Sequence, residues 1–121
     1  MDVKAETKYV RLSCSKAHDL ASAIRGKSIG EALAMTQFNE RKAAGAIYKT
    51  LASAVANAVQ KAERDNADLS EENLWVKEAY ISQGPSMRRY WPRARGGVRP
   101  IRRRMSHIGI VLSDDKRPKK R

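Results

Sequence analysis

The chain has 121 residues, 25 of them lysine or arginine and 13 aspartate or glutamate, for a formal net charge of +12. At this length one domain with a single modest core is expected. No apolar run approaches the roughly 20 residues that cross a bilayer, and residues 1–15 lack the apolar segment of a secretory signal. Cys14, with only His18 and His107 beside it, supplies neither an internal disulfide nor a four-ligand zinc site. A soluble, unexported protein without metal or cofactor is expected.

Residues 3–12 alternate loosely and predict a short half-buried strand with Tyr9, Val10 and Leu12 as its apolar contacts. Ser13 is placed to cap a first helix over 14–25. There Ala17, Leu20, Ala21 and Ile24 recur at three-and-four spacing, and Gly26 is placed to end the helix in the left-handed conformation. Ser28 and Glu31 make a capping box, each side chain satisfying the other's free amide, which starts a short second helix ending near Thr36. Asn39 is expected to cap a third and longest helix over 40–65, with the stripe Ala43, Ile47, Leu51, Ala54, Val55, Ala58 and Ala62. Its eight alanines and Gly45 let another backbone approach closely, which places it at the centre of the domain. Residues 65–73 are polar and acidic and read as a surface connection with one helical turn at 70–73.

From Leu74 the pattern turns to β-formers: Leu74, Trp75, Val76, Tyr80 and Ile81, answered further on by Ile108, Ile110, Val111 and Leu112. Ile108, Ile110 and Leu112 share one face, which is expected to lie on the helices. Between 83 and 106 fall Pro85, Pro92, Pro100, Gly84, Gly96 and Gly97. The simplest connection is a long antiparallel hairpin, spanning about residues 82–106, with its tip near 91–97, since proline is tolerated on a ribbon with free edges.

The charge is segregated. Residues 1–75 carry 11 basic and 10 acidic side chains, residues 76–113 carry 9 and 1, and residues 114–121 carry 5 and 2. Between Glu78 and Asp114 there is no acid and no lysine, and the eight basic residues are Arg88, Arg89, Arg93, Arg95, Arg99, Arg102, Arg103 and Arg104. Arginine presents a planar fork that binds phosphate bidentately and stacks on bases, so an RNA-facing segment is the natural reading. Arms of about ten to twelve residues at roughly 3.3 Å each would project some 30 to 40 Å. A two-stranded ribbon is marginal in water, and mutually repelling arginines weaken it further. The ribbon is therefore expected to take its form from a polyanion around it. The tail 114–121 repeats the theme without a core and reads as a flexible RNA anchor.

At this point the residues resemble a known family. Gly84-Pro85-Ser86-Met87-Arg88-Arg89, Pro92-Arg93-Ala94-Arg95-Gly96, Ile101-Arg102-Arg103-Arg104 and Ser106-His107-Ile108 are similar to the hairpin of the universal large-subunit ribosomal protein family numbered twenty-two, in its bacterial form. Tyr9-Val10-Arg11, Ser13, Lys16, Ile24-Arg25-Gly26-Lys27, Glu31-Ala32-Leu33, Lys42-Ala43-Ala44, Ser53-Ala54, Ala56-Asn57-Ala58 and Val76-Lys77-Glu78-Ala79 follow in the family's order, over roughly residues 5–113. The resemblance implies an α+β fold: three helices on a three-stranded antiparallel sheet, with a protruding hairpin and a basic C-terminal tail. It also implies a monomer held in the large subunit by ribosomal RNA and neighbouring ribosomal proteins, active early in subunit assembly. Its hairpin would line the tunnel of the nascent polypeptide, at the constriction near the macrolide site.

By residue, the resemblance carries ribosomal RNA contact onto Arg11, Ser13, Lys16, Arg25 and Lys27 together with the hairpin arginines. His107 is read as bonding RNA or backbone. Tunnel exposure falls on the tip, which comprises Met87, Tyr90, Trp91, Pro92, Ala94, Gly96, Gly97 and Val98. The chain departs from the family pattern at His18-Asp19, and at Gly97-Val98, where a more flexible and less charged tip is expected. Tyr90-Trp91 is bulkier than the family pair, and beside Arg89 and Arg93 these aromatics suit stacking on exposed bases.

Other classes fit less well. Glu31, Glu40, Glu63, Asp65, Asp68, Glu71 and Glu72 lie far in sequence from either histidine, and His107 has Ser106 and an arginine run beside it with no acid to orient it. No catalytic residues are assigned. Membrane binding wants a continuous amphipathic basic helix, which the prolines and glycines interrupt. A general DNA- or RNA-binding basic protein outside the ribosome remains the alternative, because phosphate attraction does not distinguish the polymers. The expected place is the cytoplasm, in the ribosome, with an organellar ribosome also open.

Overall fold

Strand alternation in the sequence becomes a sheet with one buried face, which the computed structural model describes over residues 2–66 and 68–115. The chain runs through β1 (Asp2–Val10), α1 (Cys14–Ile24), α2 (Ile29–Gln37), α3 (Lys42–Arg64), a 3-10 turn at Glu71–Asn73, β2 (Trp75–Pro92), a second 3-10 turn at Ala94–Gly96, and β3 (Val98–Ser113). The sheet is antiparallel in the order β1-β3-β2. The last strand is therefore the central one, and the three helices lie on a single face of the sheet.

The core forms where that face meets α3. Val3 and Ala5 of β1, Val76 and Ala79 of β2, and Ile108, Ile110 and Leu112 of β3 are all buried against it. From α3 come Ala43, Ala44, Ile47, Leu51, Ala54, Ala58 and Ala62, and from α1 Ala17, Leu20, Ala21 and Ile24. The alanines do what their size allows, letting α3 sit close to the sheet. Thr50 is buried on the same helix; its hydroxyl donates to the Ala46 carbonyl at 2.9 Å and lies 2.8 Å from the Thr7 hydroxyl of β1. Buried hydroxyls of this kind are tolerated because they are bonded.

Several local expectations shift. Tyr9 is not an apolar contact: it is 61% exposed with φ 59, at an irregularity in the pairing between Thr7 and Val10. The left-handed turn swings Tyr9 out, and its backbone N–H donates to His107 Nδ1 at 3.0 Å while the two rings meet edge to face at 5.0 Å. Helix α3 starts at Lys42 rather than residue 40, because Asn39 Oδ1 accepts from Arg41 N at 2.9 Å and holds a turn one step ahead of the helix. Ser13 stands at the N-cap of α1, but its hydroxyl pairs with Ser15 instead of a helix amide. Ser28 does cap α2, accepting from Glu31 N at 3.4 Å, and Gly26 ends α1 with φ +80.

Both edges of the sheet are covered within the domain. Along β2, Ile29 N donates to Leu74 O and Gly26 N to Val76 O, and Val76 N donates to Lys27 O. The Arg25 guanidinium donates to Ala79 O at 2.7 Å and the Cys14 thiol to Ile81 O at 3.5 Å. Along β1, Asn57 and Lys61 of α3 donate to the carbonyls of Lys4 and Asp2. Along β2 such covering occupies ladder groups that invite edge-to-edge pairing, and along β1 it occupies two carbonyls.

The other sheet face carries a clasp across all three strands. The Tyr80 ring of β2 lies over Gly109 of β3, where an added Cβ would stand 2.2 Å from the ring. The Tyr80 hydroxyl donates to Glu6 Oε1 at 3.1 Å, and Lys4 pairs with the same carboxylate at 2.8 Å while standing 5.6 Å from the ring centroid. The Lys4 and Tyr80 hydrogen bonds hold the Glu6 carboxyl below its usual pKa. With a folded pKa below the unfolded one, its contribution is present above the unfolded value and lost as pH falls through the folded value. We expect Gly109→Ala to destabilise the full chain by about 1–3 kcal/mol, the usual range for overpacking. The cost should shrink in a Tyr80→Ala background, and urea unfolding of the four variants checks both.

Candidate nucleic-acid interface

Where the domain ends and the ribbon begins, the starts of α1 and α3 face the hairpin arms across an open groove of about 1050 Å³. Arg11, Ser13 and Lys16 line it from the β1–α1 connection and the first turn of α1. Arg41 and Lys42 enter from the start of α3, and Met87, Arg89, Arg102, Arg103 and Arg104 from the arms. Eight cationic side chains thus line the groove with one acid, Asp19. Asp19 sits 3.8 Å from Arg41, and both are well exposed, so the pair neutralises little. Neither α1 nor α3 has an acid in its first turn or a side-chain cap on its amides. The positive ends of both helix dipoles therefore add to the field of the arginines.

Beyond the groove the arms continue as a two-stranded ribbon. Pairing shifts between Gln83 and Ser86, then runs regularly from Ser86↔Arg104 to Pro92↔Val98. Gly84 lies at the shift, where a Cβ would stand 3.0 Å from the Met105 carbonyl oxygen. Every residue from 88 to 100 is exposed, so Arg88, Arg93, Arg95 and Arg99 have no layer behind them. The ribbon turns at 93–97, where Arg93 N donates to Gly97 O at 2.7 Å and both Arg95 and Gly96 take positive φ. Gly97 itself is extended at φ −69, a conformation open to any residue, so its effect is to remove a side chain from the turn. The arms 83–92 and 98–106 span about 30 Å at roughly 3.3 Å per residue.

The structure thus brings Arg11, Ser13 and Lys16 together with Arg89 and Arg102–Arg104. Arg25 and Lys27 stand apart, on the connection that covers the β2 edge, where Arg25 is engaged with Ala79 O. His107 Nδ1 accepts from the Tyr9 amide at 3.0 Å. Met87 lies at the ribbon base, beside the groove, while Tyr90, Trp91 and Val98 are exposed near the turn. Arg41 and Lys42 were not legible as groove residues; their signal is two adjacent cations just after the Asn39 turn, at a helix start without acids. Of the basic tail, residues 116–121 lie outside the described residues.

An unlayered arginine ribbon continuous with a cationic groove defines a polyanion-binding structural protein. Residues 5–113 match the model of the family described as Ribosomal protein L22p/L17e, and the chain belongs to that family. Proteins named Large ribosomal subunit protein uL22 are similar over nearly all of it. That of Carboxydothermus hydrogenoformans is 46% identical over 96% of this chain and 98% of its own length. That of Thermotoga sp. (strain RQ2) is 46% identical over 94% of this chain and 69% of its own length. That of Akkermansia muciniphila is 44% identical over 94% and 97%. The family is structural and not enzymatic, and membership implies association with ribosomal RNA and other ribosomal proteins. No helix among the described residues is long and apolar enough to cross a membrane.

The two kinds of cationic residue should separate on mutation. Replacing Arg41 and Lys42 by alanine should weaken binding to a ribosomal RNA fragment. It should also lower the slope of log affinity against log salt by about one for each phosphate left without its cation. Arg25→Ala should leave that slope unchanged and instead cost about 1 kcal/mol of stability, because its bond to Ala79 is removed. Filter binding across a salt series, with urea unfolding alongside, checks both.

Proposed function

We propose that the chain is a structural component of the large ribosomal subunit, in the cytoplasm. Residues 1–113 act as one unit that grips ribosomal RNA in the groove and threads its ribbon between RNA elements. Arg11, Ser13, Lys16, Arg41, Lys42 and the ribbon arginines meet phosphates, and affinity comes from neutralisation and counterion release. RNA shape is read rather than sequence, because A-form RNA hides its base edges in a deep groove. The tip, residues 87–98, reaches the tunnel and borders the nascent polypeptide. The tail 114–121 anchors to RNA, and the protein enters early in subunit assembly as a monomer beside neighbouring ribosomal proteins.

The observation that carries this reading is the ribbon's exposure. Thirteen consecutive residues, 88–100, are exposed and carry five arginines with no acid. A free protein gains nothing from such an extension, whereas one surrounded by RNA gains contacts on both faces. Sedimentation of cell extract is the direct test: the protein is expected with large ribosomal subunits, released as salt rises. Sedimentation with the nucleoid instead would favour a DNA-binding role.

A further inference from the structure

From Ser86 outward the ladder is regular, so side chains alternate between two ribbon faces and opposite partners share one. Tyr90 and Pro92, opposite Pro100 and Val98, make one face uncharged near the tip. The other face carries Trp91 opposite Arg99 and, one pleat nearer the domain, Arg89 opposite Ile101. Trp91 leaves 51% of its surface exposed, on a ribbon with no second layer. About half of the indole is thus left to solvent, and on its face it has Arg99 opposite and Arg89 along the strand, with Ile101 on the diagonal.

Those neighbours define the chemistry of a partner: flat and polarisable over the ring, negative at its margins. We propose that Trp91, with Arg99 and Arg89, forms a stacking site for one unpaired nucleotide of single-stranded RNA. The base lies on the indole and its flanking phosphates lie on the two guanidinium groups. Base stacking on an aromatic side chain tolerates any sequence, since every base has a π-face. Arg89 is available for this: its guanidinium rests on the Arg88 carbonyl at 2.7 Å and the Met87 sulfur at 3.7 Å, exposed contacts that a phosphate can replace. An apolar peptide over Trp91 would leave both arginines unneutralised, so charge complementarity favours the nucleotide. The Tyr90 face, uncharged from Tyr90 and Pro100 outward, is left for the tunnel lumen.

The inference rests on the RNA-binding reading and adds a base-dependent component that phosphate neutralisation does not require. The test uses the full chain carrying Trp75→Phe, so that Trp91 is its single indole. A short oligoadenylate, an abasic oligomer with the same number of phosphates and an uncharged apolar peptide are titrated in turn, with fluorescence and affinity read together. Oligoadenylate is expected to quench Trp91 and to bind about tenfold more tightly than the abasic oligomer, an advantage abolished in Trp91→Ala and largely kept in Trp91→Phe. Equal affinity for the two oligomers, or quenching by the peptide and not by oligoadenylate, overturns the stacking site. If both oligomers bind equally and salt-dependently, stacking falls while RNA binding stands. If neither binds, the RNA-binding reading falls with it.

Discussion

Everything in this molecule depends on one strand serving two environments. The inner half of β3 is the central strand of the sheet, with β1 and β2 hydrogen-bonded on either side and helices packed over Ile108, Ile110 and Leu112. Its outer half has a single neighbour and no layer above or below. Apolar burial at roughly 25 cal/mol per Å² holds the first part. The second keeps its ladder only through backbone bonds and cross-strand contacts, which rarely sustain a lone two-stranded ribbon in water.

The surroundings of the sheet match that division. Inside the domain each sheet edge is covered: Arg25, Cys14 and the 26–29 connection lie along β2, and Asn57 and Lys61 along β1. Where β2 passes Gln83 its outer edge has left the helices behind, and from Arg88 to Pro92 the side chains are arginine, aromatic and proline. Charge follows the same boundary, with net +1 over residues 1–75 and net +8 over 76–113. The groove marks the join, because there the helix starts and the arms present cations toward one another. An anion seated in it relieves repulsion from both sides.

Much of this was legible in the sequence. The stripes of α1 and α3, the shared face of Ile108, Ile110 and Leu112, and a hairpin tip near 91–97 all follow from periodicity and from glycine and proline placement. The central position of β3 was not, since alternation shows which residues share a face and not which strand lies between two others. Tyr9 departs from expectation for a related reason: its apolar character says buried, but the left-handed turn and the His107 ring turn it outward. Gly109 carried no local signal, because its need arises from Tyr80, a residue 29 positions earlier that crosses it from another strand. Arg41 and Lys42 became groove residues only once the starts of α1 and α3 were brought together by tertiary packing.

The central claim is that the domain is complete in itself whereas the ribbon is completed by RNA. Amide hydrogen exchange on the full chain, free and bound to a large-subunit ribosomal RNA fragment, tests it most directly. In the free protein the amides of 108–112 should be strongly protected while those of 86–92 and 98–104 exchange rapidly, and binding should slow the ribbon amides far more than the core. Ribbon amides as protected as those of 108–112 in the free protein would contradict the account.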